Sequence, residues 1–236
     1  MSRLAGGAGG PQRSPLGAEQ VQRIARCLAA DGVVLLPTDT VYGLACDPES
    51  AAAIRRLYEI KGRPPSQPSA VMFCSLPSAL DALPELGPRV RAAVEALLPG
   101  PVTLLLPNPR RRFPLACSPG LLAGGEDGDR NVPEAALGLR VPALPPALAA
   151  LASLSRPLMQ SSANLSGGAE ARRLAEVPAQ LRAAVDLSID GGVLAGVAST
   201  IVDLRSHEDD RRWAILRDGP LARAEVERML GPSPAC

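Results

Sequence analysis

From Ala18 onward, apolar residues fall at Val21, Ile24, Ala25 and Leu28, the i, i+3, i+4, i+7 spacing of a helix with one buried face, and Asp31-Gly32 ends it. Val33 to Leu36 is a continuous apolar run too short for a helix and reads as a buried strand. It leads into Pro37-Thr-Asp-Thr-Val-Tyr-Gly-Leu44, read as a polar loop directly after a strand, where open sheets place ligands. A second helix is predicted over about Glu49 to Tyr58, then a strand over Ala70 to Cys74. Pro88 to Leu98 reads as a helix with Val90, Val94 and Leu97 on its apolar face. Pro99-Gly-Pro101 breaks it, and Val102 to Leu106 is another apolar strand. Further strands are expected at Leu137 to Val141, Leu158 to Ser161, Thr200 to Leu204 and Trp213 to Leu216. Helices are expected near Pro145 to Ser153, Pro178 to Val185 and Ala222 to Leu230. The alternation predicts an α/β (α+β) fold, a mixed sheet flanked by helices.

The pattern also divides the chain. Met1 to Gly17 is rich in Gly and Pro with little to bury and is expected to be a disordered tail; residues 18–230 form one domain, and 231–236 a short C-terminal tail. Pro107 to Glu134 is a long Pro-, Gly- and charge-rich connection, of the kind that is either mobile or functional. His207 stands in Arg205-Ser-His-Glu-Asp-Asp-Arg-Arg212, read as a solvated hairpin loop.

Composition changes the picture in three ways. The net charge of +1 gives no global field toward nucleic acid or an anionic membrane, so any anion site is local. No apolar run approaches the roughly 20 residues that span a bilayer, and the start lacks the order of a secretory signal, so a cytoplasmic protein is expected. Five widely spaced cysteines with a single histidine make free thiols a better reading than structural zinc, and no protein metal site is expected.

Lys61 is the one lysine in the chain; the other basic side chains are arginine. An ammonium is a compact point charge and a guanidinium a wide planar fork, so a lone lysine beside Gly62 and Arg63 points to a crowded anion site. Other polar clusters fall at predicted strand ends: Thr38-Asp39-Thr40, Arg140, Ser161-Ser-Ala-Asn164, Ser199-Thr200 and Arg217. Brought together they would place four cations among small donors, suited to a polyphosphate and a small polar substrate. Individually, such residues are more often turn formers or solvated charges. Neither G-x-x-x-x-G-K-[ST] nor G-x-G-x-x-G after a strand is present, so ATP would be bound by another device.

Seven segments occur in a recognisable order: Pro37-Thr-Asp-Thr-Val-Tyr-Gly-Leu44, Lys61-Gly-Arg-Pro64, Pro99-Gly-Pro-Val-Thr103, Leu139-Arg-Val-Pro142, Ser162-Ala-Asn-Leu-Ser-Gly167, Ser199-Thr-Ile-Val-Asp203 and Ile215-Leu-Arg-Asp-Gly219. Together they resemble the YrdC-like family over about Ala18 to Leu230, with Lys61, Arg63, Ser162 and Asn164 matching its K-x-R and S-x-N signature. The resemblance implies a twisted mixed sheet with a positively charged concave cleft, in the short single-domain form. It implies a nucleotidyltransferase that joins L-threonine, bicarbonate and ATP into threonylcarbamoyl-AMP and pyrophosphate, for the t6A37 modification of tRNA.

By the same resemblance, Lys61 and Arg63 would be catalytic, contacting phosphate and carbamate oxygens. Gln67, Ser162, Asn164 and Arg217 would bind ATP with them, and Thr40, Arg140 and Ser199 would hold the threonine. Mg2+ would arrive with ATP, with no organic cofactor; the product would be handed to a tRNA threonylcarbamoyl-transferase complex, with tRNA binding weak or indirect. Departures from the family pattern touch mainly the amino-acid pocket: Met72, Gln67-Pro-Ser69, Asp218, and Gly168-Ala-Glu170 where Ser-Pro-Thr is frequent. Two alternatives stay open. One is a paralogue acting on another carbamate or catalytically inactive; the other is a non-catalytic RNA-binding module, disfavoured by having only five aromatic residues for stacking.

Overall fold

The computed structural model describes residues 15–62, 69–117, 136–165 and 167–234. In chain order the elements are α1 (Ala18–Ala29), β1 (Val34–Pro37), β2 (Tyr42–Cys46), α2 (Ala51–Lys61), β3 (Ala70–Met72), α3 (Leu76–Ala82), α4 (Pro88–Leu97), β4 (Val102–Leu106), α5 (Pro114–Cys117) and β5 (Leu137–Arg140). A 3-10 helix (Pro146–Ser153) leads to β6 (Leu158–Ser162), a second 3-10 turn (Leu174–Glu176), α6 (Ala179–Ala184), β7 (Leu187–Ser188), β8 (Thr200–Asp203), α7 (His207–Asp210), β9 (Ala214–Arg217) and α8 (Arg223–Leu230).

The strands form one mixed sheet, in the order β7-β1-β2-β6-β3-β5-β4-β8-β9 among the described residues. Parallel pairs (β3 with β5, β4 with β8) sit among antiparallel ones. Successive strand residues point to opposite faces, and the two faces have different fates. Leu35, Leu44, Met159, Val71, Leu139, Leu104 and Val202 point to the face covered by α2 and α4 and join the larger core. On the other face, Val34, Leu36, Ala45, Met72 and Leu158 pack beneath α1 and the first 3-10 helix in a smaller core. Further along that second face the alternation places Gln160, Arg140 and Thr103, all buried and polar. The first face is therefore mainly apolar core, with Ser161 and Thr200 as buried polar exceptions; the other is apolar at one end and polar at the other.

Differences from the sequence reading have local causes. The run 37–44 is not one loop: only residues 38–41 turn, and Tyr42–Cys46 is a strand that folds back on β1 with Pro37 opposite Tyr42. The hydroxyl-rich start masked a fully buried strand. The described residues reach into both expected tails. Leu16 is buried and its N–H donates to Ala147 O (2.9 Å), and at the other end Trp213 donates through Nε1 to Gly231 O (3.0 Å) and through its N–H to Ser233 Oγ (3.0 Å).

His207 is likewise not in a solvated hairpin. It is buried at the start of α7, a one-turn helix packed against α4. The neighbouring Glu208 caps α4: its Oε2 accepts from Arg89 N (3.1 Å) and Val90 N (3.0 Å), two of the amides that a helix start leaves unpaired. Gly87 permits this, since a Cβ there would lie 2.3 Å from the Glu208 carboxyl carbon. Glu208→Ala should lower stability by about 1 kcal/mol, read as a melting temperature lower by roughly 2–4 °C.

Cys46, Cys74 and Cys117 are free and buried; burial pushes the Cys46 thiol far up, Cys74 up to about 12 and Cys117 up to about 11. Thiols held protonated in this way are poor nucleophiles and metal ligands. Among the described residues no helix is long and apolar enough to cross a membrane, and no group of three His, Cys, Asp or Glu side chains could hold a metal ion.

Candidate active site

The first polar group is built by the end of α2. Ser50 starts that helix, its Oγ accepting from Ala53 N (3.1 Å), and Gly62 ends it in the left-handed region at φ 61°. Ala53, Ile54 and Leu57 bury one face, and Lys61, one turn after Leu57, follows them inward to 4% exposure. Its ammonium donates to Asn164 Oδ1 (3.0 Å), to Ser162 Oγ (3.3 Å) and to the Ser162 carbonyl oxygen. Ser162 Oγ in turn donates to Asn164 Oδ1 (2.7 Å), and Asn164 Nδ2 donates to Gly168 O (2.6 Å). Lysine, serine and asparagine, 101 and 103 residues apart along the chain, thus form one hydrogen-bonded unit at the end of β6.

The second group sits two residues earlier on the same strand, about 7 Å away by strand geometry. Gln160 Oε1 accepts from Arg140 Nη1 (3.2 Å), and Arg140 Nη2 donates to Asp39 Oδ1 (2.8 Å) and Thr40 Oγ1 (3.0 Å). Asp39 Oδ2 also accepts from Ala143 N (3.0 Å), so the 38–41 turn is tied to the end of β5. Thr38 Oγ1 donates to Val41 O (2.7 Å) and lies 3.1 Å from Thr40 Oγ1, which pins the turn itself. Gly43 makes the arrangement possible: a Cβ there would meet Gln160 Nε2 at 2.4 Å. Gly43→Ala should therefore push the Gln160 amide off Arg140, weakening substrate binding several-fold with β2 still paired. Titration calorimetry against a melting curve separates the two effects.

Electrostatically, the Arg140–Asp39 pair is held at a cost. Burial pushes the Asp39 carboxyl up from its ordinary range, against the Arg140 charge and the Ala143 amide that hold it down. Burial likewise lowers Arg140, opposed by Asp39; guanidinium is basic enough to stay charged. Arg217 and Glu170 also act on Arg140, with opposite signs.

The third group lies beyond β5. Ser199 Oγ and Thr103 Oγ1 are 2.8 Å apart, and exposed Arg217 donates to Ser199 O through Nε (3.1 Å) and Nη2 (2.8 Å), and to Ser199 Oγ through Nη2 (3.2 Å). The β4–β5 register pairs Leu104 with Leu139, which brings Thr103 up to Arg140. Lys61, Ser162 and Asn164 thus connect along β6 to Arg140 and Thr40, and across β4 to Ser199 and Arg217.

Of the candidates read from sequence, Arg63 and Gln67 lie outside the described residues. Thr40 is fully buried, its hydroxyl taken up by Thr38 and Arg140, so it orients neighbours inside the wall. Arg140 does not present an open two-pronged fork: both terminal nitrogens have protein acceptors. Gln160 and Thr103 were not among the candidates, and Asp39 was seen only as part of a polar turn. Nothing in their spacing marks them, because their partners lie 20 residues away for Gln160, 101 for Asp39 and 96 for Thr103. A separate open hollow of about 510 Å3, lined by Pro84, Glu85, Arg110 and Arg112, involves none of these residues.

Residues 26–219 match the Sua5/YciO/YrdC family, described as telomere recombination, a span that takes in all three polar groups. The chain belongs to this family. Among its relatives, the threonylcarbamoyl-AMP synthase of Bacillus subtilis strain 168 is 31% identical over 214 residues, 90% of this chain and 57% of that protein. The threonylcarbamoyl-AMP synthase of Xanthomonas euvesicatoria pv. vesicatoria strain 85-10 is 34% identical over 203 residues, 84% of this chain and 97% of that one. In structure, P. abyssi Sua5 in complex with L-threonine superposes with a TM-score of 0.73 at 28% identity, covering 92% of this chain and 59% of that chain. The chain thus spans a little over half the length of some family members and nearly all of others.

Proposed function

We propose that the chain is a threonylcarbamoyl-AMP synthase, joining L-threonine, bicarbonate and ATP with release of pyrophosphate. Its product would pass to a tRNA threonylcarbamoyl-transferase complex in the cytoplasm. The observation that carries this reading is the continuity of the polar groups: Lys61 and Arg140, from different elements, meet side chains two residues apart on β6. In this reading the phosphate chain would lie at the Lys61 end and the amino acid at the Arg140 end.

In this reading bicarbonate takes up a proton and loses water to give carbon dioxide, and threonine's amine, once deprotonated, adds to that carbon dioxide and gives up an N–H proton, leaving a carbamate. A carbamate oxygen then attacks the α-phosphorus of ATP, a P–O bond forms, and the bond to the departing pyrophosphate breaks. Lys61, with Arg63 two positions on in the sequence, would offset charge gathering on the phosphate oxygens. Ser162 and Asn164 orient the ammonium and, with Gln67 and Arg217, hold the nucleotide, which brings Mg2+ with it as part of the substrate. Arg140 receives the threonine carboxylate through Nε, while Asp39, Thr40 and Gln160 fix its plane; Ser199 holds the other side. No side chain need act as a nucleophile, because positioning alone recovers roughly 7–11 kcal/mol of barrier.

The experiment is direct. Purified protein with Mg-ATP, bicarbonate and single amino acids should release pyrophosphate with threonine and far less with serine, alanine or valine. Equal release with several amino acids, or none with any, would sink the assignment.

A further inference from the structure

Two buried polar atoms beside the candidate site have no hydrogen-bond partner among the described residues: Arg140 Nε and Glu170 Oε2. An N–H and a carboxylate oxygen taken out of water and left unpaired are unfavourable, and native structures keep few of them without a reason. Glu170 is close enough for its charge to act on Arg140, yet the two are not bonded to each other. The backbone around Glu170 is pinned on both sides. Gly168 O accepts from Asn164 Nδ2 (2.6 Å), and Ala171 O accepts from Tyr42 N (3.1 Å). One pin belongs to the Lys61 group, the other to the strand that begins two residues after Thr40, so Glu170 is suspended between the two halves of the site.

An unpaired guanidinium N–H and an unpaired carboxylate oxygen, within reach of each other's charge, match the two ends of a zwitterion: a carboxylate for the first, an ammonium for the second. Among the described residues of the site, the other charges do not fit the second role. Lys61, Arg140 and Arg217 are cations and would repel an ammonium, and Asp39 is committed to Arg140 and the Ala143 amide. We propose that Glu170 recognises the α-ammonium group of the amino-acid substrate and so selects α-amino acids over hydroxy acids of the same shape. This rests on the reading of the site as one that binds an amino acid.

The test compares L-threonine with 3-hydroxybutyrate, the same acid without its amine, by titration calorimetry on wild type, Glu170→Gln and Glu170→Ala, with ATP binding as the control for folding. Both variants should weaken threonine at least about tenfold, the loss of one charge-assisted hydrogen bond. They should leave 3-hydroxybutyrate and ATP within about twofold of wild type. Equal weakening of both acids would make Glu170 a merely structural residue, and unchanged threonine affinity would also overturn the proposal. A wild-type protein that binds ATP but no threonine would instead remove the amino-acid reading beneath it.

Discussion

Lys61→Arg is expected to lower pyrophosphate release by about 100- to 1,000-fold, the cost of removing one preorganised donor from a site of developing charge. Charge is kept in this variant; shape is not. The ammonium sits where Ser162 O, Ser162 Oγ and Asn164 Oδ1 surround a single point, and its three hydrogens can be aimed at them independently. A guanidinium is longer and flat, and cannot direct its donors at acceptors clustered about one atom. It would have to push Asn164 aside, breaking the bonds from Asn164 Nδ2 to Gly168 O and from Ser162 Oγ to Asn164 Oδ1. The core residues of α2 are untouched, so circular dichroism should match wild type and the melting temperature should move by only a few degrees. This explains why a chain otherwise limited to arginine keeps one lysine here. Near-normal turnover would remove that explanation.

Arg140→Ala should abolish threonine binding and destabilise the protein at neutral pH by about 3–5 kcal/mol, because Asp39 would be left buried with no counter-charge. For a chain of this size that is a melting temperature lower by roughly 10 °C. The loss should depend on pH. An acid whose folded pKa lies above its unfolded value binds its proton more tightly when folded, so its contribution to stability falls as pH rises from the unfolded to the folded pKa. Asp39 is already raised by burial in the wild type. Removing the Arg140 charge and hydrogen bond raises it further and widens that window upward. The gap between wild type and variant should therefore be small near pH 4 and grow toward pH 7. Thermal melts across that range check it, and Asp39→Asn combined with Arg140→Ala should recover part of the neutral-pH loss. A gap that does not change with pH would mean that Asp39 is not the buried charge responsible.

Continuous apolar runs such as Val33 to Leu36 were legible because a strand buried on both sides has no polar alternation to hide it. The helix from Ala18 was legible because it has one apolar stripe, with Val21, Ile24 and Leu28 buried. What stayed hidden depended on distant partners. Tyr42–Cys46 reads as strand only once β1 and β6 lie beside it, and Leu187–Ser188 is too short to have a period at all. The order of strands, which decides that Gln160 and Arg140 share a face, has no local signal. At the site, Lys61 and the Ser162/Asn164 pair stood out by rarity and by the ordered motifs. Asp39 and Gln160 did not, because their role lies wholly in what they hold. Glu170 was visible only as a departure from the pattern, and its unpaired oxygen gave it meaning.

The most direct test of the account is a crystal structure of the protein with L-threonine and a non-hydrolysable ATP analogue. The account predicts a phosphate oxygen within hydrogen-bond distance of Lys61 Nζ, the threonine carboxylate on Arg140 Nε, and the threonine nitrogen between the α-phosphate and Glu170. A nucleotide bound away from Lys61, or an amino acid bound without Arg140, would contradict the single continuous site on which everything else is built.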